Sequence, residues 1–171
     1  SDVIELQVYE DGTRTKFLTN TENLLDSSKT YRMTFGMYDV NSSDVRIVMT
    51  AVDVTLFDET ITSAKLHSLS GYCGASASDA GVRAELGSLG NKINVSTLVR
   101  SEGSWKTISG LNEPKFIAGK MVLDGKTYTG YAGEKFTNRV LHFKYRLTFS
   151  EDAAAAGEWG GLYFNAGGAE V

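Results

Sequence analysis

The chain has 171 residues, of which 42% are hydrophobic and 22% charged, with a formal net charge of −4. That length suits one domain spanning 1–171, and that composition supplies a core and excludes a disordered chain. The sequence has no Lys/Arg run of the kind that marks a nucleic-acid binder and no apolar run of the roughly 18 residues needed to span a bilayer, and its one cysteine, Cys73, excludes an internal disulfide or a cysteine-rich zinc cage.

The first segment, Val3–Glu10, places Ile4, Leu6 and Val8 on one face of an extended strand. Asp11-Gly12 follows, then Thr13–Leu18. Asp-Gly between two extended runs predicts a two-residue hairpin, because both central positions favour positive φ. Asn20–Ser28 reads as a loop or one helical turn, with Leu24-Leu25 plugging the core. Thr30–Tyr38 is a clean strand in which Tyr31, Met33, Phe35 and Met37 alternate with Arg32, Thr34 and Gly36.

After a turn at Asp39–Ser43, Asp44–Phe57 reads as one long strand whose alternation changes phase. Ile47 and Met49 share one parity; Val52, Val54 and Leu56 share the other. A β-bulge near Thr50-Ala51 accounts for the change, and a strand buried on both faces is the alternative. Thr60–Leu69 is a weaker strand. Ser70–Gly81, SGYCGASASDAG, has little side chain to bury and is predicted to be an exposed loop.

Val82–Leu86 and Ile93–Val99 are predicted strands around a Gly-rich turn. Trp105–Ile108 is another. Lys115–Leu123, Asp124-Gly125 and Lys126–Tyr131 form a second predicted Asp-Gly hairpin. The clearest pattern in the chain is Val140–Phe149. Leu141, Phe143, Tyr145, Leu147 and Phe149 alternate with Val140, His142, Lys144, Arg146 and Thr148, which is the signature of a half-buried antiparallel strand. Ser150–Gly157 then reads as a short helix. Ser150 suits its N-cap, Glu151 and Asp152 suit its positive end, and Gly157 suits a left-handed stop. Gly160–Val171 is a short aromatic strand with a Gly/Ala tail. The expected fold is all-β, an antiparallel sandwich or jelly roll of about nine strands with one short helix near the C-terminus.

Signals for chemistry are sparse. His67 and Cys73 lie close in sequence, but the residues around them lack any cysteine-protease signature. His142 falls on the polar face of its strand. Asp53, Asp58 and Glu59 offer carboxyls of the kind a glycosidase pairs across a cleft, and Glu151-Asp152 is explained by the helix start. Asp39, Asn41, Ser43 and Asp44 offer oxygens to calcium, but Asp44 stands where the calcium loop needs Gly, and Asx turns explain the same residues. No metal or cofactor is expected. Trp105, Tyr128, Tyr131, Trp159 and Tyr163 lie near turns or strand ends; Trp105, Tyr128 and Trp159 form the candidate aromatic platform for a ligand such as a glycan. Asn41-Ser42-Ser43 and Asn94-Val95-Ser96 match the glycosylation sequon, a pattern short enough to arise by chance.

Both ends, residues 1–10 and 160–171, are strand-competent and available for exchange with neighbouring copies. The expectation is therefore a non-enzymatic structural subunit. It would self-assemble as a homo-oligomer or polymer into a viral capsid or tail or a surface filament, through sheet edges, terminal segments and loop 70–81. Direct nucleic-acid binding and a membrane span are not expected. SDVIELQ does not read as a signal peptide, which leaves the compartment open; a virion or cell surface follows from the structural reading. The alternative is a carbohydrate-binding β-sandwich module using exposed aromatics.

Overall fold

The structure is a computed structural model, and it describes residues 3–22, 25–63, 66, 72–90, 105–131 and 140–166. Among these residues the chain is all-β, with thirteen strands and one short helix at Glu151–Ala156, here α1. Every strand pairing is antiparallel. The strands are β1 (Ile4–Glu10), β2 (Thr13–Asn20), β3 (Thr30–Asp39), β4 (Asp44–Ala51), β5 (Val54–Thr62), β6 (Tyr72–Ala77) and β7 (Val82–Gly90). They continue with β8 (Trp105–Gly110), β9 (Lys115–Ile117), β10 (Lys120–Asp124), β11 (Thr127–Tyr131), β12 (Val140–Phe149) and β13 (Gly160–Ala166).

A seven-stranded sheet runs in the order β5-β4-β3-β12-β7-β10-β9. Its middle strand is β12, the segment with the cleanest alternation. Leu141 and Phe143 lie on the buried face, in register with Phe35 and Met33 of β3. Against β7 the register shifts between Lys144 and Tyr145, and Gly87 is the extra residue of that bulge. A four-stranded sheet follows the order β13-β6-β11-β8, and β1 and β2 form a separate two-stranded sheet. One apolar cluster joins them in a sandwich-like arrangement. It takes Val8 from the hairpin, Met33, Ile47, Met121 and Phe143 from the large sheet, and Ala75, Ala77 and Trp105 from the small one.

The β1–β2 turn forms as the Asp-Gly pair dictates. Asp11 has φ 51° and Gly12 φ 75°, the left-handed values of a primed hairpin turn. The helix also forms as its sequence dictates. The Ser150 side chain accepts from the Ala153 N–H, and Gly157 closes the helix with φ 73°. Leu25 packs partly buried against the core, while Leu24 lies outside the described residues.

Five expected elements take a different form in the structure. The change of phase within 44–57 marks a hairpin as well as a bulge: β4 ends at Ala51, Val52 turns the chain at φ 55°, and β5 begins at Val54. A bulge does lie in this pair, between Met49 and Thr50. Thr60–Thr62 therefore belongs to β5 and is not the start of a further strand. The segment expected to be an exposed loop contains β6, an interior strand of the small sheet. Its small residues are what permit this: Ala75, Ser76 and Ala77 are almost fully buried where strands and core come close. Lys115–Leu123 is two strands, turned at Ala118-Gly119 with φ 51° and 75°.

Asp124-Gly125 does not close a hairpin. β10 pairs with β7 and β9 in the large sheet, whereas β11 pairs with β6 and β8 in the small one. The dipeptide is a corner at which the chain passes between sheets, with φ 56° at Gly125 and 43° at Lys126. Three other passages lie beside it: β6 to β7, β8 to β9, and β12 through α1 to β13. They are bonded to one another. Gly125 N donates to Val82 O (2.8 Å), Ser150 N to Gly81 O (2.8 Å), and Leu111 N to Lys126 O (2.8 Å). Asn112 Nδ2 donates to Asp124 O (2.8 Å), and Lys126 pairs with Asp79 (3.1 Å). The predicted strand Ile93–Val99 lies outside the described residues.

Candidate functional site

Among the described residues no contact joins the candidate carboxyls Asp53, Asp58 and Glu59 to one another. Asp58 and Glu59 are successive residues of one strand and leave it on opposite faces. Arg46 grips Asp58 through Nε and Nη2, both at 2.6 Å, and this fork holds the carboxyl below the usual carboxylate range. Asp53 occupies the exposed β4–β5 turn. Asn41 forms the Asx turn expected of it: its Oδ1 accepts from Ser43 N and Asp44 N at 2.8 and 2.9 Å. His142 Nδ1 lies 3.1 Å from Thr34 Oγ1 on the outer sheet face. His67 lies outside the described residues, as does the Cys73 side chain. Among the described residues no cluster of His, Cys, Asp or Glu of metal-holding size occurs. No helix among them is long and apolar enough to cross a membrane.

The aromatic candidates with described side chains separate into two groups, and the side chains of Tyr131 and Tyr163 lie outside the described residues. Trp105 faces the core and is only 5% exposed. Tyr128 and Trp159 meet on the outer face of the small sheet, edge to face, with ring centroids 6.1 Å apart. Trp159 is 49% exposed and lies across Gly161, where a Cβ would come within 3.3 Å of the indole. Ser78 fixes the approach: its N–H donates to Trp159 O, and its hydroxyl accepts from Trp159 N at 2.8 Å. Ser76 lies in register between Tyr128 and Gly161, fully buried, with no hydrogen-bond partner for its hydroxyl.

Two further surfaces were not visible as motifs. The first is the outer face of the β1–β2 hairpin. Its inner face packs Ile4, Leu6, Val8 and Leu18 on the core, while Tyr9 and Phe17 stay exposed. The exposed face is ordered all the same. Tyr9 Oη donates to Gln7 Oε1 (2.8 Å), Gln7 Nε2 donates to Glu5 Oε2 (2.9 Å), and the Arg14 guanidinium sits 4.7 Å from the Phe17 ring centre. Asn20 Nδ2 donates to Leu56 O (2.9 Å), and the buried Ser63 hydroxyl bonds Glu10, tying the hairpin to the end of the large sheet.

The second surface is the outer face of the seven-stranded sheet. Alternation puts Arg46, Arg32, Lys144 and Arg146 on it, followed by Arg83, Lys120 and Lys115. Asp44, Asp58, Glu85 and Asp124 share the face and are outnumbered. Arg146 and Lys120 approach Glu85 at 3.6 and 3.8 Å, and Arg83 and Lys115 approach Asp124 at 3.5 and 3.1 Å. Arg32 and Lys144 stand directly opposite each other on β3 and β12, and both are exposed. No family model, no curated protein and no solved structure matches the chain.

Proposed function

We propose that the chain is a non-enzymatic structural subunit that assembles with copies of itself into a larger particle, a viral capsid or tail or a surface filament. The observation that supports this best is the β1–β2 hairpin. It is a sheet of only two strands, outside both larger sheets, so both of its strands are edges. An isolated two-stranded ribbon is marginal in water, and this one is held through one face alone. Its other face holds Tyr9 and Phe17 exposed in an ordered polar frame, the residue types that anchor interfaces. Light scattering with negative-stain electron microscopy tests the reading. Rings, shells, tubes or filaments are expected, and loss of them in a Tyr9→Ser/Phe17→Ser variant that keeps its circular dichroism. A strict monomer at high concentration would count against it.

A second reading, a glycan-binding module, draws support from Trp159, whose indole lies close to Gly161 and is 49% exposed, leaving surface free for stacking. Retention on a glycan array that disappears in Trp159→Ala would favour it.

A further inference from the structure

We infer that the outer face of the seven-stranded sheet docks the acidic α1 end of a second copy of this chain, through Arg32 and Lys144. The inference rests on the assembly reading and names one contact within it. Two cations directly opposite on neighbouring strands repel each other, and such pairs are destabilising. The other cations of this face have a carboxylate nearby, as Arg46 has Asp58 and Arg146 has Glu85. Among the described residues Arg32 and Lys144 have none within ion-pair distance. Among the described residues they are the uncompensated charge of the face.

The complement is on the same molecule. The chain carries net −4, so the surface away from this face holds the excess of carboxylates. Glu151 and Asp152 project from the first turn of α1, exposed, with no cation in ion-pair distance among the described residues. Exposed alanines, Ala154–Ala156, continue that surface and leave room for close approach. At Gly36, four residues along β3 from Arg32, the Tyr38 ring lies on the same outer sheet face, 44% exposed, which supplies an aromatic anchor of the kind protein interfaces favour. A long polyanion is the poorer fit: most of the cations are already compensated within the face, and a chain of net negative charge repels it.

Sheet face against helix end is a heterologous contact. Contacts of that kind propagate from copy to copy, closing into rings or running on as filaments. The contact is electrostatic and partly exposed, so added salt weakens it.

Charge exchange tests the contact. Arg32→Glu/Lys144→Glu and Glu151→Lys/Asp152→Lys are made separately, together in one chain, and as an equimolar mixture of the two double variants. Arg32→Glu/Lys144→Glu keeps a like-charged cross-strand pair, and circular dichroism with thermal melting confirms folding. Light scattering at low and high salt reads the mass. The expected result is assembly of the unaltered chain that weakens with salt, at least tenfold weaker assembly of each double variant alone, and recovery in the mixture and in the fourfold variant. Assembly that both double variants retain would overturn the contact and leave the assembly reading standing. Loss in both without recovery in the mixture would also overturn it. An unaltered chain that stays monomeric at every salt concentration would overturn both. Heparin retention lost in Arg32→Glu/Lys144→Glu, with mass unchanged in all variants, would assign the face to a polyanion instead.

Discussion

The Tyr38 ring lies over Gly36, so close that a methyl group on Gly36 would come 2.7 Å from the ring. Tyr38 is half exposed and sits two residues along the same strand, so its ring can swing away. Gly36→Ala is therefore expected to destabilise by no more than about 1 kcal/mol. Gly110 is the opposite case. Its φ is +119°, and a Cβ there would collide with the backbone carbonyl of Lys126, which cannot move aside. Gly110→Ala should destabilise by about 2–3 kcal/mol or more. Urea unfolding of the two variants compares them; a larger loss at Gly36 would contradict the account.

Ser150 caps α1 and sits against Gly81 at the turn between the sheets. Ser150→Ala removes the acceptor for Ala153 N and should lower stability by about 1 kcal/mol, with Ser150→Asp losing less. Thermal denaturation reads this directly. An unchanged midpoint in Ser150→Ala would show that the cap contributes nothing.

The Asp58 carboxyl titrates below its ordinary range because Arg46 hydrogen-bonds and attracts it. A depressed folded-state value means that the unfolded chain takes up this proton first as pH falls. Its contribution is therefore present above the ordinary carboxylate range and fades as pH drops through the folded value. Stability of the unaltered chain should decline on acidification more steeply than that of Asp58→Asn. Denaturant midpoints between neutral pH and pH 3 measure the difference; parallel curves would refute it. The pair is exposed, so the effect is small and salt-sensitive.

The two tryptophans occupy contrasting environments, one 5% and the other 49% exposed. In Trp159→Phe the remaining emission comes from Trp105 and should be blue-shifted and poorly quenched by iodide. The unaltered chain should show a readily quenched fraction. Equal quenching of both proteins would contradict the burial of Trp105.

Phe143 is 1% exposed at the centre of the large sheet. Phe143→Ala should cost about 3–5 kcal/mol, a large share of the stability of an ordinary domain. Hydrogen exchange across β3, β12 and β7 should accelerate together, because these strands share that core contact.

Strict alternation made β3 and β12 legible in the sequence, and Ser150 with Gly157 marked the helix. Other elements carry weaker local signals. Val52 holds a positive φ that β-branched residues avoid, so nothing in Ala51-Val52-Asp53-Val54 announces a turn. Strand β6 is written in Gly, Ala and Ser, which look like a loop until close packing requires them. Asp124-Gly125 carries the residue types of a hairpin turn, but the left-handed residues are Gly125 and Lys126, and pairing partners distant in sequence decide that it is a corner. The basic sheet face escapes notice for the reason that makes the strands readable. Arg32, Lys144 and Arg146 alternate with apolar residues and never form a run, so only the lateral alignment of strands assembles them. Of the candidate aromatics, Tyr128 and Trp159 meet and Trp105 is internal; strand parity could have separated Trp105 only once its partner strand was known.

The four passages between sheets at the Asp79–Gly81 and Asp124–Lys126 corner act as a mechanical seam. Each turn is fastened to a neighbour by a backbone or side-chain bond. Sliding one sheet over the other would break several of these bonds together, so load applied through the β1–β2 hairpin at one edge would reach both sheets without shearing them apart. A body clasped in this way would transmit force as one block.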